Sequence, residues 1–236
     1  MADDGKITLH WHYLGEIEKF KDEIPFPFES DGKKIKPFPG IYVWIWGGKT
    51  GDKYVHYIGQ SKDIWKRLET EVSGFIGGAW VAYNLEPGSN LYEVKKKIFL
   101  KEPSYCEVIE ANCYCGVSGA HYSPNRGKKD SISAMVNDDR IRWASNMLKD
   151  MYIAVAKIED DDQENQEKKR LYVEAALIHG LRKHLKLSDK IPRYILDVFF
   201  GRVTKEPTEA FNICHDGDFK QLPEELTKIK QWEKLK

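Results

Sequence analysis

The sequence predicts a mixed α/β fold, and three stretches carry that prediction. Residues 40–46, GIYVWIW, and 53–59, KYVHYIG, are rich in β-branched and aromatic residues. GGKTGD lies between them, and its three glycines suit the loose loop of a β-hairpin. Residues 151–158, MYIAVAKI, have the composition of a further strand. Residues 167–187, EKKRLYVEAALIHGLRKHLKL, place Leu171, Ile178, Leu181 and Leu185 on one face at helical spacing.

The remaining elements follow in chain order. After the hairpin, Ser61 is suited to cap a helix over 62–72, with Asp63 favourable in its first turn. Ile64, Trp65, Leu68 and Val72 form its apolar stripe, and Arg67 falls at the border, where a long side chain reaches an adjoining cleft. From Gly74 to Lys149 the pattern is less regular. GFIGGAWVAYNLEPGSNLYEV mixes glycines with aromatics, and Trp80 and Tyr83 read as core rather than base-stacking groups. SYCEVIEANCYCGVSGAHY starts strand-like and turns loop-like, SPNRGKKDS is a basic turn, and DSISAMVNDDRIRWASNMLKD contains helix. The tail, LPEELTKIKQWEKLK, predicts a last amphipathic helix with Leu226, Ile229 and Trp232 on one side.

Composition narrows the function classes. The chain has 236 residues, 41% hydrophobic and 31% charged, enough for the core of one domain with elaborations. No run approaches the roughly 18 apolar residues of a membrane span, and MADDGKITLHWHYLG lacks the pattern of a signal peptide. Four cysteines do not make a disulfide scaffold at this length, so a reducing cytoplasm is expected. Lys plus Arg equals Asp plus Glu at 37 each, which argues against coating nucleic acid through bulk charge. The charges are nevertheless segregated. EDDDQENQE (159–167) holds six acids, whereas residues 168–205 hold ten Lys/Arg against three acids, an arrangement that permits one basic face.

Glu174 is the first residue to call for chemistry. On a helical wheel it falls among Leu171, Ile178, Leu181 and Leu185, inside the apolar stripe. A carboxylate there must be paired, protonated or bound to a cation, because an unpaired buried charge costs several kcal/mol. Two readings stand at this point: an internal ion pair with a nearby Arg or Lys, or a metal ligand facing a cleft.

The order Gly40-Ile41-Tyr42, then Tyr57-Ile58-Gly59, then Arg67, then a glutamate on a helix after a further strand resembles the GIY-YIG nuclease family. The match covers about 39–72 and 150–187. Residues 74–149 are left as an insert and 188–236 as a C-terminal extension of one domain over 1–236. The resemblance implies an α+β sandwich with a small three-stranded antiparallel sheet flanked by helices. It also implies cleavage of phosphodiester bonds by Tyr42, Tyr57, Arg67 and Glu174, with Glu174 binding the metal. Lys62 and Asn212 stand in supporting roles. The sequence departs from the family in three places. The loop between the motifs is longer, Glu71 stands where a His or Tyr often follows the arginine, and Asn212 lies much further from the glutamate than the family's asparagine.

The chemistry agrees with these assignments. A tyrosine, with an unperturbed pKa near 10, becomes a more accessible phenolate beside a cation or an arginine and can then accept a proton from water. Arg67 offers a forked, permanently charged donor to phosphate. Glu174 alone suits Mg²⁺ (or Mn²⁺), which keeps several waters and takes the rest of its shell from phosphate. The competing readings are sheet aromatics for the tyrosines and a surface ion pair with Glu71 for Arg67. Cys106, Cys113, Cys115 and His121 form C-x6-C-x-C-x5-H, which is not the tight zinc knuckle, so no structural zinc is expected. Cys214 beside His215 is a poor nucleophile–base pair, because adjacent residues seldom face each other usefully. Arg126, Lys128 and Lys129 in the basic turn, and Arg182, Lys183 and Lys186 on the long helix, are the candidate DNA contacts; their alternative is solvated surface. The expectation is a Mg²⁺-dependent endonuclease of restriction type acting on double-stranded DNA, as a homodimer when cutting and with no membrane association. Its rival is a non-catalytic nucleic-acid-binding module of the same fold.

Overall fold

Gly40–Gly47 (β4) is buried along its whole length and pairs antiparallel on both sides, so it is an internal strand of the sheet. The computed structural model describes residues 5–17, 29–30, 33–34, 36–47, 51–76, 82–83, 85, 89–100, 113–114, 138–158, 163–187, 191 and 193–233. In chain order the strands are β1 (Lys6–Glu16), β2 (Glu29–Ser30), β3 (Lys33–Lys34), β4, β5 (Lys53–Ser61), β6 (Ala82–Tyr83), β7 (Cys113–Tyr114), β8 (Met151–Ile158), β9 (Phe211–Gly217) and β10 (Gln231–Trp232). The helices are α1 (Ile64–Ile76), α2 (Leu91–Phe99), α3 (Asp138–Lys149), α4 (Gln163–His184), α5 (Arg193–Phe200) and α6 (Glu224–Thr227).

The main sheet has six strands in the order β10-β9-β1-β8-β4-β5, with β2–β3 and β6–β7 as separate two-stranded pairings. The fold is therefore mixed α/β, as expected, but the three-stranded antiparallel sheet is not. β8, β4 and β5 do pair antiparallel, and β1 continues the antiparallel run beyond β8. β9 then joins β1 in parallel, and β10 joins β9 antiparallel. The physical reason for the larger sheet lies in the N-terminal segment. Ile7, Leu9 and Trp11 alternate on one face of β1 and are buried, so this strand is part of the core. Its backbone groups, which would otherwise be buried unpaired, are met by β8 on one edge and β9 on the other.

Local signals are realised with small shifts. β8 spans the residues expected of it, and α4 begins four residues earlier than the predicted 167. At the start of α1, Asp63 Oδ1 accepts from the Lys66 amide at 3.1 Å, the bond expected of a capping residue. Ser61 Oγ instead accepts from the Asp63 amide at 3.1 Å. The tail departs most from expectation. Among its described residues only Glu224–Thr227 is helical, after which the chain turns and pairs with β9, with the Ile213 amide donating to Lys230 O at 2.7 Å. A helix would have left that edge of β9 unpaired, and edge pairing satisfies both backbones.

The core gathers around β4 and β8 and takes in Ile41, Val43, Ile45, Ile153 and Val155 together with Val173, Leu177 and Ile178 of α4. Tyr83 is buried, as the sequence suggests, while Trp80 lies outside the described residues. Among the described residues no helix is long and apolar enough to cross a membrane.

Candidate active site

The spacing of the two motifs becomes geometry through the β4–β5 register. Tyr42 stands opposite Gly59, and Tyr57 lies two residues before Gly59 on the same strand. Side chains two apart on a strand share a face, so both tyrosines project to one side as a diagonal pair. Their ring centroids are 6.0 Å apart, tilted by 31°. Gly59 is what makes room for this. A Cβ there would fall 2.3 Å from the Tyr42 hydroxyl oxygen, closer than any real contact allows. Gly40 answers a similar need, since its Cβ would meet Ala156 O of β8 at 2.2 Å. The two glycines thus answer different close approaches, Gly59 that of the Tyr42 ring and Gly40 that of the neighbouring strand β8.

Helix α1 brings two more groups. Arg67 Nε donates to the Tyr42 hydroxyl at 3.0 Å, and that hydroxyl donates to Glu71 Oε1, also at 3.0 Å. Arg67 Nη2 reaches Glu71 Oε1 at 2.5 Å across one helical turn. Tyr57 is hydrogen-bonded to Tyr42 and feels the charges of Glu71, Glu174 and Arg67. The result is a connected network of Tyr57, Tyr42, Arg67 and Glu71. Arg67 is the exposed end, its side chain 36% accessible against 6% for Glu71. The i+4 ion pair weighed from sequence therefore forms, but with a buried carboxylate rather than at the surface.

Helix α4 supplies Glu174, which is 6% exposed. It accepts a hydrogen bond from the Gln60 amide of β5, yet its Oε2 is buried without a hydrogen-bond partner. Among the described residues no ion pair closes on Glu174, so the internal-pair reading is not realised. Burial pushes its carboxyl up to about 8, against weaker opposition from the Gln60 amide and Arg67. Arg170, one turn earlier, is also buried and ties α4 to β5 through Gln60 Oε1 at 3.3 Å.

Burial also pushes the Tyr42 phenol well above its ordinary value, reinforced by Tyr57 and Glu71 and only partly offset by Arg67. Tyr57 rises to about 12 for the same first reason. Arginine alone thus does not make either phenolate accessible, contrary to the simple expectation: desolvation outweighs it. The two hydroxyls also differ. Tyr42 is buried and already both donates and accepts, whereas Tyr57 sits on the sheet's edge strand and is partly exposed.

An orphaned, buried carboxylate oxygen that would otherwise hold a proton is the donor a hard divalent cation takes. Glu174 could supply one such donor. Among the described residues no group of three His, Cys, Asp or Glu side chains is arranged to hold a metal. The chain's own contribution would be this one carboxylate.

The other expected site residues fall elsewhere. Lys62 is exposed at the turn before α1. Asn212 lies on β9, three strands from β4 in the sheet order, hence about 14 Å away at the usual strand spacing, and so does not support this site. Arg182 is not a surface contact. It is buried, with Nη2 donating to Gly201 O at 3.0 Å and to Asp197 Oδ1 at 3.3 Å. Lys183 and Lys186 are exposed. Arg126, Lys128 and Lys129 lie outside the described residues, as do Cys106, Cys115 and His121. Cys214 is a free cysteine on β9. His215 is engaged as an acceptor from Trp11 Nε1 at 3.0 Å, so it is no base for its neighbour.

Glu71 is the residue whose role the sequence understated. Its signals were the i+4 spacing from Arg67 and its place where a His or Tyr often follows the arginine, and its burial against Tyr42 depends on how α1 docks on β4. Comparison of the chain with protein-family models, with curated proteins and with solved structures finds no match.

Proposed function

We propose that the chain is a Mg²⁺-dependent endonuclease of the GIY-YIG type that hydrolyses phosphodiester bonds in double-stranded DNA, site-specifically in the manner of a restriction enzyme. The observation that supports this reading is the convergence of Tyr42, Tyr57 and Arg67, with the orphaned Glu174 oxygen close enough for its charge to act on Tyr57. Pairing and packing account for the first three as structural groups, but they leave Glu174 unexplained.

The roles follow from exposure and bonding. Arg67, about a third open to solvent, has N–H groups left beyond those given to Tyr42 and Glu71, and these would grip a phosphate oxygen and stabilise the charge that develops on it. Glu71 locks the arginine's rotamer, so little orientational freedom is lost when phosphate binds. Tyr42 holds Tyr57 through their hydrogen bond, and Tyr57, the less buried of the two, would exchange a proton with the attacking water. A divalent cation held by Glu174 would supply positive charge to the phosphate and make nearby hydroxyls more acidic.

One observation favours the rival, a nucleic-acid-binding module without catalysis. Glu71 neutralises much of the charge that Arg67 would present to phosphate. Incubating supercoiled plasmid with and without Mg²⁺ separates the readings: the enzyme gives Mg²⁺-dependent nicked and linear products, and the module gives none. One copy offers one such cluster, so a double-strand break is proposed to need two copies. That arrangement predicts linear plasmid appearing together with a two-to-one protein–duplex complex in light scattering, and a one-to-one complex that only nicks would contradict it.

A further inference from the structure

A cavity of about 190 Å³ lies beside the first turns of α4, lined among others by Lys6, Lys168, Lys169, Tyr172, Glu209 and Phe211. Lys168 and Tyr172 are four residues apart on α4, and so are Arg170 and Glu174. The second pair lies about 200° around the helix from the first. The cavity therefore opens on the flank of α4 away from the tyrosine–arginine cluster, about one helix diameter (10–12 Å) across.

Its floor is the buried Tyr172 ring, stacked on Phe211 with centroids 6.4 Å apart and fixed by a 2.9 Å hydrogen bond between its hydroxyl and Thr208. Two ammonium groups converge on that ring, Lys168 Nζ at 5.4 Å and Lys205 Nζ at 6.0 Å from its centroid. Among the described residues, Lys6, Lys168 and Lys205 form no ion pair. Among the described residues of the lining, Glu209 is the one acid, set against Lys6, Lys168 and Lys169. Like charges gathered in a concavity repel one another unless an anion joins them, and low-dielectric walls focus their field on such an anion.

We propose that this cavity binds a phosphate group, with the ammonium groups of Lys6 and Lys168 as its principal donors and Tyr172 as a rigid floor. Lysine binds phosphate as a hydrated point charge with three donors, which suits a tetrahedral anion entered from several sides. The nuclease reading makes a backbone phosphate of the bound duplex the natural source, a few nucleotides from the cut. A free phosphate monoester offers the same chemistry.

The test uses the full chain without divalent cation and compares wild type with Lys6→Ala/Lys168→Ala. Lys97→Ala/Lys149→Ala, at exposed positions outside the cavity, makes the same change of charge as a control. Binding of inorganic phosphate and of a mononucleotide is followed by calorimetry, and binding of a short labelled duplex by anisotropy over a salt series. Phosphate binding should be lost in the cavity variant alone. Its duplex affinity should fall about tenfold, and its salt slope should drop by about 2 for two lost charge contacts. Loss of phosphate and mononucleotide binding with unchanged duplex affinity would assign the cavity to a free phosphate monoester. Equal behaviour of the two double variants towards all three probes would overturn the proposal. Thermal melting checks that the variants fold, and Lys168→Arg should keep binding in every arm. Phosphate binding without plasmid cleavage would retain the cavity and remove the nuclease reading, and cleavage without phosphate binding would do the reverse.

Discussion

Tyr42 and Glu71 come from a strand and a helix and meet in the protein interior, the tyrosine hydroxyl donating to the carboxylate at 3.0 Å. The same carboxylate holds Arg67, so one buried acid fixes both a phenol and a guanidinium. If it serves to position them for catalysis, Glu71→Ala should lower kcat at least tenfold, about 1.4 kcal/mol of barrier, with little change in duplex affinity. Glu71→Gln, which keeps an acceptor for Tyr42 but no charge for Arg67, should fall between. Cleavage kinetics and duplex binding measured together check this. Tighter duplex binding with no cleavage in either protein would favour the non-catalytic module.

Gly59 faces the Tyr42 ring, so Gly59→Ala must move either the ring or β5. Overpacking of this kind costs about 1–3 kcal/mol, and here it also displaces the hydroxyl that links Arg67 to Tyr57. Thermal melting should register the stability loss, and kcat should fall by more than that loss explains. Wild-type activity in a folded Gly59→Ala protein would show that Tyr42's position is immaterial.

Tyr42→Phe and Tyr57→Phe should each fold and each lower kcat, the first by loosening Arg67 and the second by removing the edge hydroxyl. Arg67→Lys should lose most of kcat, because a point charge replaces a fork that serves Tyr42, Glu71 and phosphate together. Steady-state kinetics with circular dichroism as a folding control measures this. Normal cleavage by both Phe variants would return the tyrosines to the role of packing residues.

Lys95 gives a prediction in pH. It is fully buried on α2, and its Nζ donates to His56 O at 2.8 Å and to Phe199 O at 2.7 Å. Desolvation lowers its pKa from 10.5 to about 7. Between these values the unfolded chain carries the proton and the folded chain does not, so stability should rise with pH through that window, by up to a few kcal/mol. Denaturant melts from pH 7 to 10 should show this rise in wild type and a flatter profile in Lys95→Met.

The sequence made the hairpin, β8, α1 and α4 legible because each carries a strong local pattern, and the register of β4 and β5 then placed both tyrosines on one face. β1 carries a similar alternation at Ile7, Leu9 and Trp11. Its neighbours β8 and β9 lie far along the chain, however, and no local pattern announces a parallel partner. The tail misled for the opposite reason. Leu226, Ile229 and Trp232 sit at three-residue intervals that imitate a helix, but the free edge of β9 draws the chain into a strand. For the site, spacing located the four expected groups but could not show depth. The burial that makes Glu71 structural, raises both phenols and turns Arg182 inward is a property of packing, not of period.

Glu174 carries the central claim, because its buried, orphaned oxygen is the feature that pairing and packing leave unexplained. The most direct measurement is plasmid cleavage by Glu174→Gln in Mg²⁺, alongside duplex binding in Ca²⁺. Losing the one carboxylate that would hold the cation should reduce cleavage by orders of magnitude, while binding in Ca²⁺ and the thermal melt show the protein intact. Cleavage within about threefold of wild type would contradict a metal-dependent reaction at this residue.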